Sequence, residues 1–259
     1  MQTMIPHLID SHFHLRSMQR KGIDVESILA AMQELSMEGI EIGLDCGDLA
    51  ERTAMLEPYP FIKLSAGIGP WGAQDSLDEQ LAVLENQLLK NEVVAIGEIG
   101  LDNYHKYGTV ENQEYLLAQQ IELANKLGKP VIFHNREADS QFISLLGRTT
   151  FAKRGIFHCY QGGGELARLA IKQGFYLSFA GPLTYKANKG MQDLFASLPI
   201  EHILLETDSP YLSPNPVRGK ANTPLFMHHI YACAAQLRSI SLEAMVLQVR
   251  ANFHAFLDQ

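Results

Sequence analysis

The sequence predicts an α/β protein, a TIM-like (β/α)8 barrel forming one domain over residues 1–259. Three observations lead there. Eight short apolar runs alternate with longer segments of helical periodicity, the pattern of a parallel sheet covered on both faces. The 259 residues match the roughly 250 of a single closed barrel and suffice for a large core without disulfides. Ionisable residues gather at the ends of the apolar runs, where such barrels carry their chemistry. A doubly wound open sheet competes, but no G-x-G-x-x-G turn follows the first run.

Strands are expected at Leu8–Asp10, Ile40–Leu44, Ile62–Ala66, Val93–Ile96, Val131–Phe133, Gly155–Phe157, Phe175–Phe179 and Ile203–Leu205. They are mostly rich in Val, Ile, Leu or Phe and bounded by Gly, Pro or charge. Between them, Asp24–Glu38 carries Val25, Ile28, Leu29, Met32 and Leu35 on one face of a helix. Ser76–Lys90, Glu111–Leu127, Gly164–Lys172 and Ser241–Leu257 read the same way, and Gly128 with Pro130 stops the third of these.

No run approaches 18 apolar residues, and the start, MQTMIPHLIDSHFH, lacks a signal peptide's apolar stretch. The expectation is a soluble, cytoplasmic protein with no membrane partner; no protein partner is indicated. Twenty-nine acids against 21 bases give a net charge of −8, which excludes a broad basic surface but leaves room for a small basic rim. Cys46, Cys159 and Cys233 are odd in number with no C-x-x-C pair, as in a reducing compartment, and are expected as buried small hydrophobes.

The first strand runs into Asp10-Ser11-His12-Phe13-His14, and the fourth into Gly97-Glu98-Ile99-Gly100-Leu101-Asp102. His134-Asn135-Arg136, His158-Cys159 and Glu206-Thr207-Asp208 end the fifth, sixth and eighth. Strand alternation puts His12 with His14 and Glu206 with Asp208. Burying so many ionisable groups is costly without a metal to hold them. His12, His14, Glu98, His134, His158 and Asp208 are the candidate ligands, more than one catalytic ion requires. A carboxylate shared by two divalent ions would use the surplus, and Glu98 is the natural bridge. Histidine-rich ligation favours Zn²⁺ or Mn²⁺, with Mg²⁺ possible.

Around these, Arg136 is a bidentate phosphate donor or a rim ion pair. Arg218 and Lys220 form a basic rim or plain loop charge. Tyr104, Tyr160 and Tyr185 offer base stacking or ordinary packing. Glu206 orients the site, contacts ligand or is simply structural. His105 has no partner at ligand spacing, Asp45 and Asp48 belong to no set, and His228 and His229 cannot share a helix face.

The DSHFH, GEIGLD, HNREA, HC-Y-x-G, ETDSPYL and RGKANTP segments, in order from residue 10 to 224, resemble the TatD family of metal-dependent hydrolases. The resemblance implies a TIM-like barrel, a dinuclear divalent-metal centre and phosphodiester hydrolysis, typically of DNA and 3′→5′ on single strands. Carried over, His12, His14 and Asp208 would hold the first ion, His134 and His158 the second, and Glu98 would bridge. A water activated by the two ions would attack, with Asp208 accepting its proton. One departure stands out. Where the family usually has G-x-H-P after the third strand, this chain reads Gly67-Ile68-Gly69-Pro70-Trp71. That turn and the acidic balance favour the alternative, a small-molecule hydrolase cleaving a phosphoester, lactone or amide. A non-catalytic binding protein is disfavoured because no expected ligand is lost.

Overall fold

The computed structural model describes residues 5–259. Among them eight strands form one parallel sheet in sequence order, the (β/α)8 class. They are β1 (Ile9–Phe13), β2 (Glu38–Ile42), β3 (Ile62–Ala66), β4 (Ala95–Asp102), β5 (Val131–Arg136), β6 (Ile156–Phe157), β7 (Tyr176–Phe179) and β8 (Ile203–Leu205). The helices are α1 (Leu15–Arg20), α2 (Val25–Glu34), α3 (Leu49–Leu56), α4 (Leu77–Leu88), α5 (Val110–Leu127), α6 (Asp139–Arg148), α7 (Gly164–Lys172), α8 (Lys189–Ser197), α9 (Met227–Arg238) and α10 (Leu242–Leu257). No single described helix is long and apolar enough to cross a membrane.

Two elements differ from the sequence reading in an informative way. β4 and β5 continue through Asp102 and Arg136, pairing Gly100 with His134 and Asp102 with Arg136. The polar motifs at strand ends are therefore strand rather than loop, because the neighbouring strand supplies partners for their backbone groups. The first long helix stops at Glu34 rather than Glu38: Ser36 turns to φ 51°, and Glu38 already pairs with Ile9.

The chain divides into two compact units. One comprises the N-terminal part up to Glu41 with Tyr59–Ile62 and Ser178–Asp258. Here α10 lies against β1 and β8, burying Met245, Val249, Phe253 and Phe256. The buried Tyr231 hydroxyl accepts from the Ile9 amide (3.0 Å) and donates to the Ile9 carbonyl (3.2 Å). Asn252 donates to the carbonyls of Ile200 and Ile203, tying α10 to the entry of β8.

The other unit comprises Ile42–Pro58, Lys63–Leu177 and Gln259. Its core is an aromatic cluster in which Phe133 meets Phe142, Phe157 and Phe175 at 5.2, 5.0 and 5.9 Å between ring centres. Thr109 caps α5 by accepting from the Asn112 amide, and Gly128 ends it at φ 62°, the left-handed conformation that favours glycine. Arg52 is fully buried, yet its guanidinium is matched by Asp48 (2.7 Å) and the Ser65 carbonyl (2.9 Å).

Candidate metal centre

In the first unit, β1 carries His12 near its end, and His14 begins α1. The chain reaches Asp208 just past β8, and backbone bonds hold it to β1 on both sides. The Asp208 amide donates to the His12 carbonyl (2.9 Å), and the His14 amide to the Ser209 carbonyl (2.8 Å). Asp208 sits at φ 54°, where an L residue is strained, so its surroundings have to fix it. The fixing network is visible. The Thr207 amide and hydroxyl donate to the two oxygens of Asp10 (2.9 and 2.6 Å), the Thr207 oxygen accepts from the Ser209 hydroxyl, and Asn222 donates to the Thr207 and Tyr211 carbonyls. Burial pushes the Asp10 carboxyl up to about 8, against the bonds from Thr207.

This scaffold brings three donor atoms together. The His12 and His14 Nε2 atoms are 3.2 Å apart, and Asp208 Oδ1 lies 3.2 Å from His14 Nε2 and 3.9 Å from His12 Nε2. Metal–nitrogen bonds of about 2.0–2.1 Å would set neighbouring ligands roughly 3.0–3.4 Å apart. Two imidazole nitrogens facing each other can share at most one proton, so a cation suits the space between them. Glu206 is fully buried, with a carboxylate oxygen within 4.8 Å of a His12 ring nitrogen.

The second unit builds a similar group from β4, β5 and the residue after β6. Glu98 Oε1 lies 2.7 Å from His134 Nδ1 and 2.8 Å from His158 Nε2, and those nitrogens are 3.3 Å apart. Here too the donors are those of a Zn²⁺ or Mn²⁺ site. The other His134 nitrogen, Nε2, is 3.1 Å from Asp102 Oδ2. Asp102 is gripped in turn by the Tyr104 and His105 amides (3.0 and 2.7 Å) and by His105 Nδ1 (2.8 Å). With Nε2–H donating to Asp102 Oδ2, the Nδ1 lone pair faces the group, an assignment made from the bonding network. Burial works to lower the His134 pKa, but its bonds to Asp102 and Glu98 outweigh that and hold it above the ordinary value. Burial likewise works to raise Asp102, yet hydrogen bonds from His134 and His105 hold its carboxyl well below the usual carboxylate range.

The remaining candidates fall out unevenly. Arg136 donates from Nη1 to Gln161 Oε1 (3.0 Å), stacks over Tyr104 (5.0 Å) and lines a cavity of about 530 Å³ with Asn103, Asn135 and Gln141. Arg218 and Lys220 are exposed, with Arg218 stacked on Tyr185 (4.4 Å). Tyr160 is 3% exposed and donates its hydroxyl to the Gly163 carbonyl, so its ring is packed in this structure. The three cysteines are half-buried and form no disulfide among the described residues, not fully buried as expected. His228 and His229 do meet, with ring centres 3.8 Å apart.

Sequence reasoning missed the residues that hold the ligands: Asp10, Asp102, Thr207 and Asn222. All four stood inside quoted motifs, and the signal was their closeness along the chain to the ligand residues. It also missed the role of Asp48 as the partner of buried Arg52, and His105 as a partner of Asp102.

Fold and donor groups together define a class, the metal-dependent hydrolases of (β/α)8 architecture. The family described as TatD related DNase matches residues 9–258. The chain belongs to the TatD family. It is 34% identical over 238 residues to an uncharacterized metal-dependent hydrolase, YabD, of Bacillus subtilis (strain 168), covering 91% of this chain and 93% of that protein. It is 32% identical over 240 residues to a protein of Edwardsiella piscicida named 3'-5' ssDNA/RNA exonuclease TatD, covering 89% and 92%. The crystal structure of YJJV, a TatD homologue from Escherichia coli K12, matches with a TM-score of 0.90 at 28% identity, covering 99% and 100% of the two chains.

Proposed function

We propose that this chain is a deoxyribonuclease that trims single-stranded DNA from the 3′ end, using divalent ions held by its two histidine–carboxylate groups. The observation that carries the reading is the convergence of three donor atoms in each group, His12/His14/Asp208 and Glu98/His134/His158, within 4.8 Å of one another. The name of the Edwardsiella relative supports the substrate. These two groups would hold divalent ions, which would supply Lewis-acid polarisation of a phosphoryl group and a lowered pKa for the attacking water.

The chain's own residues do the rest. Asp208, the carboxylate of the first group, accepts the proton of the attacking water. Asp102 holds the His134 ring with its Nδ1 toward the second group. Arg136 receives a phosphate oxygen: its Nε has no hydrogen-bond partner among the described residues, and its cavity is lined by amides that donate as well. Glu206, with a carboxylate oxygen within 4.8 Å of a His12 ring nitrogen, orients the site, and Arg218 and Lys220 guide the strand.

The test is hydrolysis of an end-labelled single-stranded oligonucleotide by protein loaded in turn with Mg²⁺, Mn²⁺ or Zn²⁺. Stepwise shortening from the 3′ end is expected for the wild type, with Asp208→Asn slower by at least about 100-fold while still folded, the scale of a lost general base. No cleavage by metal-loaded wild type sinks the reading. The second reading, a small-molecule phosphoester, lactone or amide hydrolase, is favoured by the net charge of −8.

A further inference from the structure

The turn leaving β3 does something the ligand groups do not explain. Gly69 has φ −71° and ψ 176°, a backbone open to any residue. Yet a Cβ at Gly69 would lie 2.2, 2.3 and 2.6 Å from three ring carbons of Trp71. The space a side chain would take there is filled by the indole. The ring is pinned, with Nε1–H donating to the Leu44 carbonyl (3.0 Å), and it stands edge-on to His134 at 6.1 Å between ring centres. One flank of Trp71 thus adjoins the Glu98/His134/His158 group.

Trp71 also lines a cavity of about 510 Å³, within the usual size range of small-ligand sites. Leu44, Ile68 and Val83 make it apolar, and Asp45, Asp75 and Glu79 line it with carboxylates; no lysine or arginine lines it. Its field is negative: burial lifts the Cys46 thiol pKa, and Asp45, Asp48 and Asp75 lift it further. The Arg136 cavity, at the ends of β5 and β6, is mixed instead: the guanidinium lines it together with Glu137, Asp139 and several amides. A phosphate finds a guanidinium donor at Arg136 but only carboxylates beside Trp71, where it is repelled. What an indole and carboxylates accept together is a flat, uncharged ring with N–H donors.

We propose that the Trp71 cavity is a base-selective subsite that stacks a nucleobase bearing an exocyclic amine, with cytosine, adenine or guanine donating that amine to Asp75 or Glu79. Thymine and uracil, which present a carbonyl oxygen where cytosine has its amine, are discriminated against. The identity of the ring as a nucleobase rests on the nuclease reading; the stacking of a flat amine-bearing ring does not.

Trp71 is the chain's single tryptophan, so its emission reports this cavity directly. The protein is titrated with deoxycytidine, deoxyadenosine and thymidine, exciting on the red edge of indole absorption. Saturable quenching is expected for the first two, with thymidine at least about fivefold weaker. Asp75→Asn combined with Glu79→Gln, both on the surface, raises the Kd for deoxycytidine at least about fivefold and leaves thymidine unchanged. In the loaded enzyme, Trp71→Ala raises KM for DNA by roughly 5- to 150-fold, the usual consequence of losing one base–aromatic stack, with a smaller effect on kcat. No saturable quenching by any of the three nucleosides overturns the proposal, as do equal affinities that ignore the carboxylate substitutions. DNA cleavage without quenching removes the subsite alone; quenching without DNA cleavage removes the nuclease reading and keeps the subsite.

Discussion

Asp208 combines two properties that rarely coincide in one residue, a strained backbone at φ 54° and a carboxylate aimed at two imidazoles. The strain is tolerated because Thr207, Ser209 and Asn222 lock the peptides on either side. The same division between donors and holders recurs at His134, which faces Glu98 with one nitrogen and Asp102 with the other. Removing a holder of this kind typically weakens metal binding by about 10- to 100-fold without touching a ligand atom. We expect Asp102→Asn to do so for one class of ions, read by titration calorimetry with Zn²⁺ or Mn²⁺ against the wild type. Unchanged affinity would show that Asp102 does not position His134. At this scale the donors were legible in the sequence and the holders were not. Histidines in H-x-H or after an apolar run announce themselves, whereas Thr207 and Asn222 are ordinary polar residues until a fold reveals what they grip.

Among elements, legibility followed the buried stripe only in part: α4 was legible though it buries only Leu84, and α9 was not, though it buries Met227, Ile230, Tyr231, Ala234 and Ala235. α2 buries Val25, Ile28, Leu29 and Met32, and its periodicity was plain; α6 buries only Phe142 and Leu146, and α8 only Phe195, leaving too little pattern to read. Helix starts carry their own testable chemistry. Asp24 caps α2 by accepting from the Ser27 amide and hydroxyl, and these bonds hold its carboxyl below the ordinary value. A lowered folded pKa means the contribution is present above the unfolded pKa and is lost as pH falls through the folded one. The stability gap between wild type and Asp24→Ala, measured by urea melts, should therefore be constant near neutrality and shrink in strong acid. The turn after β3 offers a second check. Gly69→Ala should destabilise by about 1–3 kcal/mol through overpacking against Trp71, and that cost should vanish in a Trp71→Ala background. Additive losses in the double mutant would show that the indole does not fill that space.

For the molecule as a whole, the alternation of apolar runs and helices was enough to name the (β/α)8 class, since a parallel sheet covered on both faces leaves few other arrangements. The net charge was also informative. With Arg136, Arg218 and Lys220 as the proposed contacts to a strand, the affinity for single-stranded DNA should fall with salt at a log–log slope of about −2, from three phosphates at roughly 0.7 each. A slope near zero, measured by fluorescence anisotropy with Asp208→Asn to prevent cleavage, would point to the small-molecule reading instead.

The spacing of the ligand groups along the polypeptide also orders events during synthesis. Glu98, His134 and His158 lie within about 60 residues, whereas 194 separate His14 from Asp208. Closing the longer loop costs about 1 kcal/mol more chain entropy. A growing chain therefore holds every donor of the one group when His158 emerges. The other waits for Asp208, and its brace waits for Asn222. A nascent or truncated chain ending between His158 and Asp208 carries one complete set of donors and two of the three donors of the other.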